Sequence, residues 1–245
     1  MTTAAFTIAK DEREMLPRWI AYYGQHVNPR DMYVLDHSST DPAVLRTLLD
    51  FANAGGNVRR VFSDTVFDHD WLLSTVHDFQ RDLLTTHAFV LYTDTDEIVI
   101  PKHGTLREFL ANVTAPSYRC IGYEVIEDTI ARHGMYDKTL LANHPLTWNY
   151  GYHDATPQIE PSGELFLYHL HRMDYAEAWA KNQRWARHQW DQTALASGFS
   201  IQNQHTDEAK FREWFYDTKG AEREPLHDRL ITNMEWSQTC EPSRN

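Results

Sequence analysis

The stretch His87-Ala-Phe-Val-Leu-Tyr-Thr-Asp-Thr-Asp-Glu-Ile-Val-Ile-Pro101 decides how the chain is read. Ala88 to Tyr92 form a continuous apolar and aromatic run of strand length, the pattern of a strand covered on both faces in an α/β sheet. The run delivers Asp94 and Asp96 to its carboxyl end. In an extended backbone, residues two apart point to one side, so both carboxylates are expected together with Thr95 turned away. Two hard oxygen donors so placed suit Mn²⁺ or Mg²⁺, with substrate phosphates completing the shell. In loops the same Asp-x-Asp pattern is ordinarily a solvated turn, and the strand before it is what gives it weight here.

Working back toward the N-terminus, Ala4 to Ala9 read as a first strand ending at Lys10-Asp11-Glu12. A helix over 12–26 follows, with Met15, Trp19, Ile20, Tyr23 and Val27 at helical spacing. Met32 to Leu35 make a second strand with Asp36 at its carboxyl end. Pro42 to Ala54 make a helix with Val44, Leu45, Leu48, Leu49 and Ala52 on its apolar face, stopped by Gly55-Gly56. Val58 to Phe62 resume as strand, and Asp70 is expected to cap a helix carrying Leu72, Val76, Phe79 and Leu83. Strand and helix thus alternate, which demands crossover connections and a mainly parallel sheet flanked by helices. Ligands bind such sheets at the carboxyl ends of the strands, so Asp11, Asp36 and Asp94 are expected along one edge.

Beyond the central stretch, a short helix is expected over 105–113. Tyr118 to Ile126 read as one strand ending in Glu127-Asp128, and Thr129 to Ser162 as a long loop with little regular structure. Glu164 to His171 restore a strand in which His169 and His171 share a face. A helix over 174–188 carries Lys181, Arg184 and Arg187, another runs over 207–216, and the polar tail from Ser237 is expected to fray.

The 245 residues suit one α/β domain, with 42% hydrophobic and 24% charged residues, so the chain is expected to fold. A net charge of -12 without a long basic run argues against a nucleic-acid partner. It also favours a metal, because an acidic protein that binds a phosphorylated donor must offset like charge. The two cysteines, Cys120 and Cys240, lie far apart without metal-type spacing, which fits a reducing cytoplasm. No apolar run approaches the roughly 18 residues of a membrane span, and the N-terminus shows no basic-then-apolar leader pattern. A cytoplasmic protein with no transmembrane segment is expected.

With these pieces placed, the sequence resembles glycosyltransferases of the family 2 type with the GT-A fold, especially a bacterial subgroup reading Lys-Asn-Glu near its start. Here that block is Lys10-Asp11-Glu12, followed by Leu16-Pro-Arg-Trp-Ile-Ala-Tyr-Tyr23. The subgroup's Asp-Asn-Gly-Ser-Thr-Asp block appears as Asp36-His-Ser-Ser-Thr-Asp41 and its Asp-x-Asp-Glu-Phe block as Asp94-Thr-Asp-Glu-Ile98. A weaker likeness continues at Tyr168-His-Leu-His-Arg172 with Lys181 following. The departures are Asp11 for Asn, His37-Ser38 for Asn-Gly and Ile98 for Phe.

The resemblance implies a single GT-A-like domain over 1–245. It comprises a nucleotide-binding half over 1–101, a half over 102–200 that takes the acceptor and completes the metal site, and a helical tail over 201–245. It implies a UDP- or GDP-sugar donor held by Lys10, Glu12, Asp36, Asp94, Lys181 and Arg187, and an acceptor that is a saccharide or small molecule. Asp94, Asp96, His169 and His171 would hold Mn²⁺ or Mg²⁺, which offsets charge on the departing diphosphate. In an inverting reaction a carboxylate must take the acceptor's proton, and Glu127 and Asp128 are the candidates. Two other readings stay open. His144, His153, His169 and His171 could form a transition-metal site of a hydrolase or oxygenase. Alternatively, Trp148, Tyr150 and Tyr152 could stack on a sugar in a non-catalytic saccharide-binding module.

Overall fold

The computed structural model describes residues 2–63, 68–187 and 205–234. Its first half alternates as the sequence demands: β1 Thr3–Ala9, α1 Met15–Gly24, β2 Met32–Asp36, α2 Pro42–Asn53, β3 Asn57–Arg60, α3 His69–Leu84 and β4 Phe89–Tyr92. These strands lie in the order β3-β2-β1-β4, all parallel. Two antiparallel strands extend the sheet beyond β4: β9 Thr139–Ala142, then β6 Ser117–Arg119. The fold class is therefore α/β, with a mainly parallel central sheet flanked by helices.

Local chemistry explains the boundaries. Asp41 caps α2 by accepting from the backbone N–H of Ala43 at 2.8 Å, with Pro42 in the first turn, and Gly55 at φ 93° lets the chain leave. Only Val44, Leu48 and Phe51 of α2 are buried; Leu45 and Leu49 are 41% and 56% exposed. The helix packs at the sheet's edge, so its buried stripe is narrower than the apolar pattern suggests. Helix α3 is capped two residues earlier than expected, by Asp68 rather than Asp70.

A second sheet differs from expectation. The stretch Tyr118 to Ile126 is not one strand: β6 belongs to the central sheet, whereas β7 Ile121–Ile126 turns into a five-stranded sheet. That sheet runs in the order β13-β8-β7-β12-β5, where β5 is Glu97–Pro101, β8 Thr129–Arg132, β12 Leu165–Arg172 and β13 Arg223–Pro225. Nor is 129–162 a structureless loop, since it supplies β8, β9 and the small ladder of β10 Thr147–Trp148 with β11 Ala155–Thr156. Its strands pair with partners far away in sequence, a signal no local periodicity carries.

One apolar cluster runs through both sheets, with Phe6, Trp19, Tyr22, Tyr23, Tyr92, Trp148 and Tyr168 among its buried side chains. A smaller one joins Ile126 and Ala131 to α5 Tyr175–Trp185 and α6 Glu208–Tyr216. Asp174 and Asp207 cap these last two helices. A further helix, α7 Asp228–Met234, follows them, and the short helix α4 Leu106–Ala111, capped by Thr105, lies between β5 and β6. The expected helix end at His188 and the tail from Ser237 lie outside the described residues. Among the described residues, no helix is long and apolar enough to cross a membrane. Cys120 is buried and free.

Candidate active site

Helix α1 sets the position of the acidic stretch. Its aromatic face is buried, and three of its polar tips reach the segment after β4. The Trp19 indole donates to Thr93 Oγ1 at 2.7 Å, the Tyr22 hydroxyl to the Val99 carbonyl at 2.6 Å, and the Tyr23 hydroxyl to the Glu97 carbonyl at 3.2 Å. Buried Trp and Tyr pack as apolar bodies while their polar ends find partners, and here those partners are the backbone and threonine around Asp94 and Asp96.

The chain does not stay extended between the aspartates. Thr95 and Asp96 form a turn, and β5 begins at Glu97. The expectation that both carboxylates share a side is corrected on this point, because alternation holds only along an extended strand. Asp94 Oδ1 accepts from the Tyr92 hydroxyl at 2.8 Å, and its Oδ2 from Lys138 Nζ at 3.0 Å. Asp96 turns the other way, to Lys181 Nζ at 3.1 Å, His171 Nδ1 at 3.3 Å and His169 Nε2 at 3.6 Å.

Asp96, His169 and His171 form a group whose ligand atoms all lie within 4.8 Å of one another, and Asp94 is not part of it. The histidine spacing behaves as expected, because both rings rise from β12 with centroids 5.7 Å apart. The main chain reinforces the approach, since Leu170 N donates to the Asp96 carbonyl at 2.6 Å. Two imidazoles and a carboxylate make a donor set suited to Mn²⁺ and other first-row divalent ions. Burial raises the carboxyl of Asp96, but Lys181 and His169 outweigh it and hold it well below the usual range. Burial also opposes charge on His169, yet Glu124 and Asp96 push that imidazole up to about 10. The fit to a cation rests on this donor set and on the close approach of its ligand atoms.

The other expected residues divide cleanly. Lys10, Glu12 and Lys181 line a cleft of about 490 Å³ with Asp94, Asp96, His169 and His171. Lys10 Nζ donates to the carbonyls of His37 and Ser38 at 3.0 and 3.3 Å. Lys181 bridges Glu12 Oε1 at 3.0 Å and Asp96. Glu12 Oε2 is buried with no hydrogen-bond partner, and burial raises this carboxyl to about 7 despite Lys181. Asp36 is buried and does not line the cleft, accepting from Ser39 N at 2.9 Å. Arg187 is exposed and does not line the cleft. Glu127 and Asp128 are exposed on the turn between β7 and β8, also away from the lining, where Glu127 accepts from the Tyr216 hydroxyl at 3.0 Å.

The departures from the resembled blocks have a structural reading. Ser38 stands at φ 53°, a left-handed conformation in which glycine is free and serine costs about 1–2 kcal/mol. Its hydroxyl donates to the Val61 carbonyl at 2.8 Å, so the turn keeps its shape. Asp11, at φ 50°, accepts from the N–H groups of Thr40 and Asp41 at 2.7 and 2.8 Å. It ties the end of β1 to the start of α2 and does not itself line the cleft.

Several cleft residues were assigned no role in holding the metal or donor from the sequence. Lys138, from the supposed loop, is buried between Asp94 and Glu97, at 2.5 Å from the latter. Glu124 and Arg172 stand behind the histidines. Trp214, Asp217 and Lys219 bring the C-terminal part of the chain into the cleft wall. Of the alternative readings, His153 lines the cleft but stands outside the Asp96 group, and His144 is directed to Asn143. Trp148 is core, its indole donating to the Thr139 carbonyl at 2.8 Å, so it offers no face to a sugar.

The fold and site define a class: an α/β protein with a cleft at the carboxyl ends of its parallel strands and a carboxylate–bis-histidine cluster within it. No family model and no curated protein matches the chain. Among solved structures, it is similar to glucosyl-3-phosphoglycerate synthase from Mycobacterium tuberculosis in complex with Mn²⁺, UDP and glucosyl-3-phosphoglycerate. That likeness is 19% identity over 40% of this chain and 34% of the other, with a TM-score of 0.28. S. aureus TarS is 16% identical over 52% of this chain and 22% of its own, with a TM-score of 0.31. The galactosyltransferase LgtC, in complex with donor and acceptor sugar analogues, is 14% identical over 50% and 46%, with a TM-score of 0.28. The chain spans about a third of the length of the mycobacterial synthase. Likenesses at this level define no activity for this chain.

Proposed function

We propose that the protein is a divalent-metal-dependent glycosyltransferase of GT-A type. It would move a sugar from a UDP- or GDP-linked donor to a hydroxyl of a saccharide or small-molecule acceptor. The observation that carries this reading is the Asp96–His169–His171 group beside Lys10, Glu12 and Lys181 in one cleft at the end of β4. A bound Mn²⁺ or Mg²⁺ would supply Lewis-acid stabilisation of charge on the leaving diphosphate.

The chain's own residues then have separate tasks. Asp96, His169 and His171 would hold the cation. Lys181, which bridges Glu12 and Asp96, would offset the charge of the diphosphate, while Glu12 has an unpartnered oxygen for a donor hydroxyl. Asp94, fixed by Tyr92 and Lys138, lines the donor side, and Asp36 would shape the nucleoside end. Glu127 and Asp128 remain candidates for the base only with an acceptor that reaches the turn after β7. In this division 1–101 supplies the donor half, 102–200 completes the metal site, and the C-terminal part closes the wall with Trp214.

The test is calorimetric titration with UDP, GDP and other nucleoside diphosphates in Mn²⁺ and then in EDTA. A single preferred nucleotide that binds only with metal is expected. Metal-independent binding of saccharides without nucleotide binding would replace the transferase by a saccharide-binding module.

A further inference from the structure

We propose that Glu124 is the positioning residue for His169, fixing which imidazole nitrogen is presented to the cation; this rests on the metal reading above. The register of the second sheet places Glu124 of β7 beside His169 of β12, and His169 beside Glu97 of β5. Cross-strand neighbours rise from the same face of a sheet, so the row is dictated by pairing and not by loop geometry. Glu124 is 2% exposed and its Oε2 lies 2.9 Å from His169 Nδ1. With Nδ1–H donating to this carboxylate, Nε2 is the nitrogen left facing Asp96 Oδ1, at 3.6 Å.

The carboxylate is itself held. Its Oε1 lies 3.2 Å from Arg172 Nε. Arg172 Nη1 in turn donates to the carbonyls of Trp214, Phe215 and Asp217 at 3.1, 3.0 and 2.7 Å, which anchors the end of α6. The ring of Tyr136 stacks on His169 with centroids 5.2 Å apart. Gly122 makes that possible, because a side chain there would run into the Tyr136 backbone carbonyl. Among the described residues His171 has no such carboxylate behind it: its Nδ1 is the nitrogen near Asp96, and its ring packs edge-to-face with Trp214. The two histidines therefore offer opposite nitrogens, Nε2 from His169 and Nδ1 from His171. Acceptors that orient a ligating imidazole ordinarily contribute ~10–100-fold to metal affinity.

The experiment measures Mn²⁺ affinity by electron paramagnetic resonance, with UDP present, for wild type, Glu124→Gln and Asp96→Asn, alongside melting curves. Glutamine keeps the size and removes the charge. A folded Glu124→Gln with ~10–100-fold weaker Mn²⁺ binding, and no binding by Asp96→Asn, is expected. Glu124→Gln binding as tightly as wild type overturns the positioning role while leaving the metal site standing. A wild type that binds no Mn²⁺ overturns the metal reading and this inference with it. If Glu124→Gln does not fold, ¹⁵N-histidine spectra of the Zn²⁺-loaded wild type decide. His169 protonated on Nδ1 supports the assignment, and His169 protonated on Nε2 refutes it.

Discussion

The surroundings of Asp94 and Asp96 are built alike and differ in one respect. Each aspartate shares a buried lysine with a glutamate: Lys138 stands between Asp94 and Glu97, and Lys181 between Asp96 and Glu12. Burial works against the charge on both lysines, yet the flanking carboxylates outweigh it and keep both above their usual range. Only the Asp96 side receives two imidazoles, from β12. The turn at Thr95-Asp96 thus sends two neighbouring carboxylates into separate clusters, one an ion-pair knot and the other a potential cation site. In the proposed cation site the ligand atoms come from the second sheet as much as from the Asp-x-Asp sequence.

The comparison breaks most visibly at the histidines. His169→Ala and His171→Ala should each weaken Mn²⁺ affinity by more than the ~10–100-fold expected for losing an outer partner, and His169→Ala, which strands the buried Glu124 carboxylate, should also lower the melting temperature. Titration calorimetry checks this, and unchanged affinity in both variants would remove β12 from the site.

On the Asp94 side the expected effect is on stability. Removing one partner of a buried ion pair strands the other, at a cost of about 3–5 kcal/mol, so Lys138→Met should lose that much in urea denaturation. An unchanged midpoint would show that the knot is not structural. Between the two clusters, Trp19→Phe removes the donor to Thr93 Oγ1. Losing that buried hydrogen bond should cost about 0.5–1.5 kcal/mol, measured the same way, and should loosen both sides of the turn together.

The smallest effect concerns pH at the foot of α1. Burial, with Arg107 adding to it, lowers His26 from 6.5 to about 4. The folded state therefore binds this proton less readily than the unfolded chain. The histidine's contribution is present above about 6.5 and is lost as pH falls toward 4. Wild type should lose more melting temperature between neutral pH and pH near 5 than His26→Gln does; equal losses would contradict the assignment.

Much of the first half was legible from the sequence. β1, α1, β2, α2 and β4 are local patterns with their own caps and periods, and the two-residue spacing of His169 and His171 works because β12 stays extended. The same spacing misled at Asp94 and Asp96, where Thr95 and Asp96 make a turn. Glu124, Arg172 and Lys138 were beyond reach for a different reason. Their roles depend on β7 pairing with β12 and on β9 entering the central sheet, contacts between residues some 45 apart in sequence for Glu124 and His169 and 44 for Lys138 and Asp94. The division of Tyr118 to Ile126 between two sheets likewise follows from those partners and not from its own apolar run.

The most direct test of the separation is UDP titration in saturating Mn²⁺ for Asp96→Asn and Asp94→Asn beside wild type. The account predicts that Asp96→Asn loses metal-dependent nucleotide binding while Asp94→Asn retains Mn²⁺ binding close to wild type. Loss of Mn²⁺ binding in both variants alike would contradict it, because the two aspartates would then serve one metal together.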